Sequence, residues 1–217
     1  KELCQEYLSI KGYHDVFTPI TLLHWMGAWP QDEAQAASLV SYGGTLAAIS
    51  GATSVTTKTL HEAFGIPTPK INADGLRMTR MAIYLARNIK LDSMPEFQNE
   101  VDLIKSEVRP IVNKVLEMGD GDVALGSVRA FEAGILDIPW SPNKWVKSKV
   151  MPARDVDGCL RILDPGNMPF SKEVMEFHTE KLRLRAEKEK QPFDINLAVS
   201  SVYEMSESME TLLSDKW

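Results

Sequence analysis

Apolar residues near the start of this chain fall in short unbroken runs, and further on they fall at helical spacing. Residues 1–12 place Leu3, Tyr7 and Leu8 on one face of a helix that Gly12 ends. Asp15–Leu23 (DVFTPITLL) is almost wholly apolar and of strand length, the pattern of a strand buried on both faces. Pro19 inside it offers no ladder donor, so an edge position or a bulge is expected there. An aromatic loop, HWMGAWPQDE, leads into an Ala-rich helix over Gln31–Ser50, whose small residues, Gly43 and Gly44 among them, suit close packing on a sheet and which Gly43-Gly44 is expected to end or kink. Val55 and the threonines around it predict a second strand ending at Lys58. His61 and Glu62 follow in a turn, and Gly65, Pro67 and Pro69 are expected to stop regular structure. Residues 15–58 therefore read as one β-α-β unit, which requires parallel strands and a right-handed crossover.

The remainder reads as mainly helical. Helices are expected over residues 73–92, from Pro95 to Gly119 with a kink at Pro110, and over Val123–Leu136. Residues 139–169 are loop-rich, with one hairpin about Asp157-Gly158. Ser171–Lys190 is a charged helix with opposite charges four apart, and Asp194 caps a last helix ending near Leu213. The expected division is residues 1–92 against 93–217. Two parallel strands and one crossover leave open edges, so more sheet is expected from elsewhere.

Composition narrows the function. The chain has 217 residues, 44% of them hydrophobic and 25% charged, as in an ordinary globular protein. A net charge of −6 leaves no basic surplus for a general nucleic-acid binder. No apolar run reaches the ~20 residues of a membrane-spanning helix, and the opening KELCQEYLSI carries no secretory signal pattern. The first residue is not Met, so a processed, trimmed or partial chain is expected. Cys4 and Cys159 form no ligand spacing, and two reduced cysteines in a cytoplasmic protein are expected.

The candidate chemistry gathers at the predicted strand ends, where parallel α/β proteins place ligand-contacting groups. Lys58 and Glu62 could donate to and accept from a ligand's hydroxyls; the plainer alternative is a local ion pair of little energetic weight. Trp25 and Trp29 sit on the same predicted rim, as a platform for a planar ligand or simply as core. The four histidines (His14, His24, His61, His178) show no HxxxH or HxH pairing, and no nucleotide phosphate loop is present. EMGDGDVALG resembles a calcium loop only superficially and reads as a helix stop and restart.

GYHDVF, HWMGAWPQDE, GATSVTTKTLHEAFGIPT, RAFEAGILDIPW and MPARDVDGCLR resemble consecutive blocks of the glutamate mutase epsilon subunit, also called the methylaspartate mutase large chain. The resemblance covers most of this chain and only the carboxyl-terminal part of that subunit. It implies an α/β fold: the last two strands of a TIM-type (β/α)8 barrel followed by a mainly helical extension. It implies an isomerase, using adenosylcobalamin to interconvert L-glutamate and 3-methylaspartate through radicals. Carried over, Lys58 would donate to the coenzyme's ribose and Glu62 would accept from it. Ile66 would be an apolar wall, and Trp29 aligns with an aromatic, usually phenylalanine, packed on the cobalamin.

Two absences shape the expected partners. No histidine here stands in a DxHxxG motif, so the cobalt ligand is expected from a small sigma subunit. The arginines that clamp glutamate lie on earlier barrel strands of the family, so the catalytic residues are unknown and this chain alone is expected to be inactive. The barrel would be completed by its missing half or by a second copy of the large chain. The alternative is a non-catalytic assembly or binding module derived from a mutase barrel. Neither nucleic acid nor membrane is expected as a partner.

Overall fold

The computed structural model describes residues 1–91 and 94–206. A helix, α1 (Glu2–Ile10), opens the chain and buries none of its residues. After an exposed stretch comes β1 (Thr21–Leu23), then α2 (Glu33–Ile49), started by Asp32, whose carboxylate accepts from the Gln35 amide at 2.8 Å. The chain returns as β2 (Ser54–Thr56), parallel to β1 with Thr21, Leu22 and Leu23 opposite Ser54, Val55 and Thr56. Thr68 then caps α3 (Pro69–Ala86), with Pro69 in the first turn, where its missing N–H costs nothing.

Lys1–Met94 makes up one unit, with the described residues after Ser201 assigned to it, and Pro95–Ser201 makes up the other. In the second, α4 (Pro95–Met118) runs through Pro110 without a break. Asp122 restarts the chain as α5 (Val123–Ala133), accepting from the Leu125 amide. An antiparallel hairpin follows, β3 (Met151–Arg154) with β4 (Leu160–Asp164), and then α6 (Lys172–Glu189) and α7 (Asn196–Tyr203). Its core is Ala153, Leu182, Ala186, Leu197 and Ala198, with Leu163 packed against them. The chain is thus α/β, mostly helical, with two small two-stranded sheets among the described residues.

Several sequence expectations are corrected. The apolar run Asp15–Leu23 yields only a three-residue strand, and it is not buried on both faces, since Leu23 is 58% exposed and Phe17 75%. A ladder forms only opposite a partner, and among the described residues β1 is bonded to β2 alone. The second strand is Ser54–Thr56, ending before Lys58. Pro69 begins a helix instead of stopping one, so α3 starts ahead of residue 73. Gly43 and Gly44 neither end nor bound α2, which runs on to Ile49; both are buried. Their smallness serves packing: a Cβ on Gly44 would lie 2.7 Å from the Thr79 carbonyl oxygen on α3. The hairpin about Asp157-Gly158 forms as the sequence predicts. The expected end of the last helix near Leu213 lies outside the described residues.

Candidate functional site

The carboxyl ends of β1 and β2 lie side by side because the strands are parallel, and each delivers a functional group just beyond its end. His24 follows β1 directly, and its amide still donates to the Thr56 carbonyl at 3.2 Å. Lys58 stands two residues past β2. The chain then turns through a short 3-10 helix, Glu62–Phe64, which brings Glu62 back beneath the lysine. Lys58 Nζ lies 2.5 Å from Glu62 Oε1, with the side chains 21% and 32% exposed. This is a part-buried, charge-assisted contact open to solvent on one side. Its own contribution to stability is small at that exposure.

The backbone of Lys58 is gripped from three directions. Its N–H donates to His24 Nδ1 at 3.3 Å. Its carbonyl accepts from the Thr57 hydroxyl at 3.2 Å, and that hydroxyl is also 2.5 Å from the Thr79 hydroxyl on α3. The same carbonyl abuts α3 at Gly75, where a Cβ would lie 2.8 Å from its oxygen. His24 itself is only 2% exposed. Burial, and then the positive charge of Lys58, lower its pKa below the ordinary histidine value.

The other sequence candidates are placed differently. Ile66 is 99% exposed, an uncovered apolar side chain. Trp29 is half-buried in the loop after β1, with its indole N–H buried and unbonded. Neither hydrogen-bonds to the Lys58–Glu62 pair. Trp25 turns its N–H back to the Ala28 carbonyl at 3.0 Å. His61 is a loop hydrogen-bonder, 3.3 Å from Glu33 and edge-on to Phe64. In the sequence His24 stands out only as one of four histidines without a paired spacing, and neither Thr79 nor Gly75 belongs to a motif. The position of His24 next to an apolar strand run was a usable signal for it; the other two are distant in sequence and become neighbours only when α3 packs.

The second unit holds a separate charge cluster. Arg161, 2% exposed, donates to both Glu100 oxygens at 2.6 Å and to Asp155 at 2.7 Å. Glu100 is held below the usual carboxylate range, chiefly by these Arg161 hydrogen bonds. His178, buried, has Nε2 2.9 Å from Glu107, a close contact outside hydrogen-bond geometry. With every charge facing a partner inside the unit, the cluster is a fold-holding network. No group of three or more metal-ligating side chains occurs among the described residues, and no described helix is long and apolar enough to cross a membrane.

The model of the methylaspartate mutase E chain family (MutE) matches residues 1–212. The chain belongs to that family. It is 44% identical over 206 residues to the glutamate mutase epsilon subunit of Treponema denticola, covering 95% of this chain and 42% of the relative. Against the same-named subunit of Desulfitobacterium hafniense it is 40% identical over 208 residues, covering 95% and 43%. Against that of Haloarcula marismortui it is 40% identical over 192 residues, covering 87% and 38%. This E chain family member thus spans about two fifths of the length of the curated relatives it matches.

Proposed function

We propose that this chain is the carboxyl-terminal part of the catalytic subunit of glutamate mutase. In the assembled enzyme it would interconvert L-glutamate and 3-methylaspartate by a radical carbon-skeleton rearrangement with adenosylcobalamin. On this reading residues 1–92 supply the last two strands and helices of a (β/α)8 barrel and residues 93–217 a mainly helical extension. The observation that carries the reading is the Lys58–Glu62 pair at the carboxyl end of a parallel strand, where barrel enzymes bind their ligands. The sheet supports it too, because two parallel strands with no other strand beside them among the described residues need more sheet to be stable.

The residues present fit the adenosyl group. A lysine carries three donors and a carboxylate about four acceptor sites, and their mutual contact uses one of each. The remainder matches the two neighbouring hydroxyls of a ribose, with Lys58 donating and Glu62 accepting. Ile66 offers an exposed apolar surface for the ligand to cover, and Trp29 an aromatic face. The coenzyme, when bound, supplies the radical chemistry. This chain's residues hold, orient and shield it.

The cobalt ligand is assigned to the cobalamin-binding small (sigma) subunit. His24 is buried with Nδ1 engaged, His61 faces Glu33, and His178 faces Glu107 within the second unit. The clamp on L-glutamate is assigned to the missing part of the barrel, supplied by the rest of the subunit or by a second copy of the large chain. Free Cys4 and Cys159 suit a cytoplasmic location.

The test joins this chain to the upstream barrel half of a relative and the small subunit, and follows coenzyme-dependent turnover of L-glutamate. A one-to-one complex that turns over, and loses about 10–100-fold in kcat/KM on Lys58→Ala while staying assembled, is the expected result. A chain that ignores the upstream half, or an unaffected Lys58→Ala complex, refutes the reading.

A further inference from the structure

His24 is nearly the most enclosed polar side chain of the first unit, and the pair chemistry just described does not use it directly. Its ring is confined on both sides. Nδ1 takes the Lys58 amide, while Nε2 and Cδ2 lie against Gly43 of α2, where a Cβ would come within 2.7 and 2.6 Å of them. An imidazole nitrogen that accepts a hydrogen bond carries no proton, so the neutral ring must hold its proton on Nε2. That Nε2 is buried without a hydrogen-bond partner, a cost the fold accepts where a hydrocarbon side chain would be cheaper.

The cost has a matching return in geometry. β2 ends at Thr56, so Lys58 lies outside the ladder and nothing in the sheet sets its φ and ψ. Contacts from separate elements hold it instead: His24 from the end of β1 takes the N–H, while the Thr57 hydroxyl, itself against Thr79 of α3, donates to the carbonyl and Gly75 of α3 stands against it. Fixing both sides of one peptide residue fixes the direction in which its Cα–Cβ bond leaves the backbone. The part-buried ammonium, its side chain 21% exposed, then lies 2.5 Å from Glu62.

We propose that His24 is the positioning residue of this site, a neutral imidazole with its proton on Nε2, seated on Gly43, whose Nδ1 aims Lys58 at its ligand. The inference rests on the ligand role proposed for Lys58 but is tested without any ligand. Asparagine places a carbonyl oxygen close to where histidine holds Nδ1, whereas leucine keeps bulk and removes the acceptor. Amide hydrogen exchange at Lys58 is measured on the full chain for wild type, His24→Asn and His24→Leu, with the amides of Val40 and Ala47 in α2 as controls for general loosening.

Exchange at Lys58 should rise about tenfold in His24→Leu, the scale of one hydrogen bond, and stay within about twofold of wild type in His24→Asn. Unchanged exchange in His24→Leu overturns the proposal. So does an equal rise in both variants, which would make the ring mere filling. Should the leucine chain not fold, Gly43→Ala decides, because the three atoms nearest its methyl all belong to the His24 ring, which must shift: faster exchange at Lys58 with α2 intact supports the proposal, and unchanged exchange overturns it. A failed coenzyme reading would surface separately, as undiminished turnover in the Lys58→Ala complex.

Discussion

Replacing Arg161 by methionine should be the most damaging single change in the second unit. The guanidinium is 2% exposed and makes three charge-assisted hydrogen bonds, two to Glu100 and one to Asp155. The two carboxylates differ in their access to water. Asp155 has no exposed side-chain surface, while 34% of Glu100 is in contact with solvent. Methionine fills most of the volume and leaves Asp155 buried with its charge uncompensated except by the amides of Asp157 and Cys159. Breaking a buried pair in this way costs about 3–5 kcal/mol. For a unit of this size that corresponds to about 10–20 °C in Tm. Glu100→Gln, at the wetter end of the cluster, should cost about 1 kcal/mol after allowance for solvent screening. Urea unfolding followed by circular dichroism, with the two variants side by side, measures both. A loss below about 1 kcal/mol for Arg161→Met, or equal losses for the two variants, would show that Asp155 is reached by water and that the burial argument is wrong.

Other consequences can be checked in the same way. Asp137 accepts from the amides of Ile138, Ser148, Lys149 and Val150. Burial pushes its carboxyl up, but those four donors outweigh it and hold the pKa below the usual value. Asp137→Ala should therefore free the loop that carries Trp140 and Trp145, seen as faster proteolysis at residues 138–149 and a shift in tryptophan fluorescence. Gly44→Ala sets a methyl 2.7 Å from the Thr79 oxygen and 2.8 Å from Ala82 Cβ, and should lower stability by about 1–3 kcal/mol on thermal melting. The lowered pKa of His24 means that the unfolded chain takes up a proton near pH 6.5 more readily than the folded one. Its contribution is complete above that pH and is lost as pH falls below it, so stability should decline from pH 7.5 to 5.5. The groups acting on the ring are Lys58, paired with Glu62, and the uncharged Gly43 of α2. His24→Asn should flatten that slope in urea titrations at the two pH values.

Local sequence determined a good deal of this protein. Asp32, Thr68, Asp122 and Ser171 each start a helix through their own side chains, an interaction within three residues that needs no knowledge of the fold. The hairpin turn at Asp157-Gly158 and the parallel pairing of residues around 21 and 54 were legible for the same reason, as local turn chemistry and an intervening helix. So was the pairing of Lys58 with Glu62, which are four residues apart. The extent of the strands was not legible, because an apolar run becomes a strand only where a neighbour accepts its hydrogen bonds, and β1 has one such neighbour. Nor were the partners of three glycines. The smallness of Gly43 and Gly44 suits close packing in the sequence alone; the fold shows that Gly43, Gly44 and Gly75 are the points where His24, α3 and the Lys58 carbonyl come too close for a methyl group. The residues that aim the lysine come from positions 24, 57, 75 and 79, on both strand ends and α3. Only tertiary packing decided that arrangement, because close contact between distant segments is a property of how the helices seat on the strands and leaves no periodic trace along the chain.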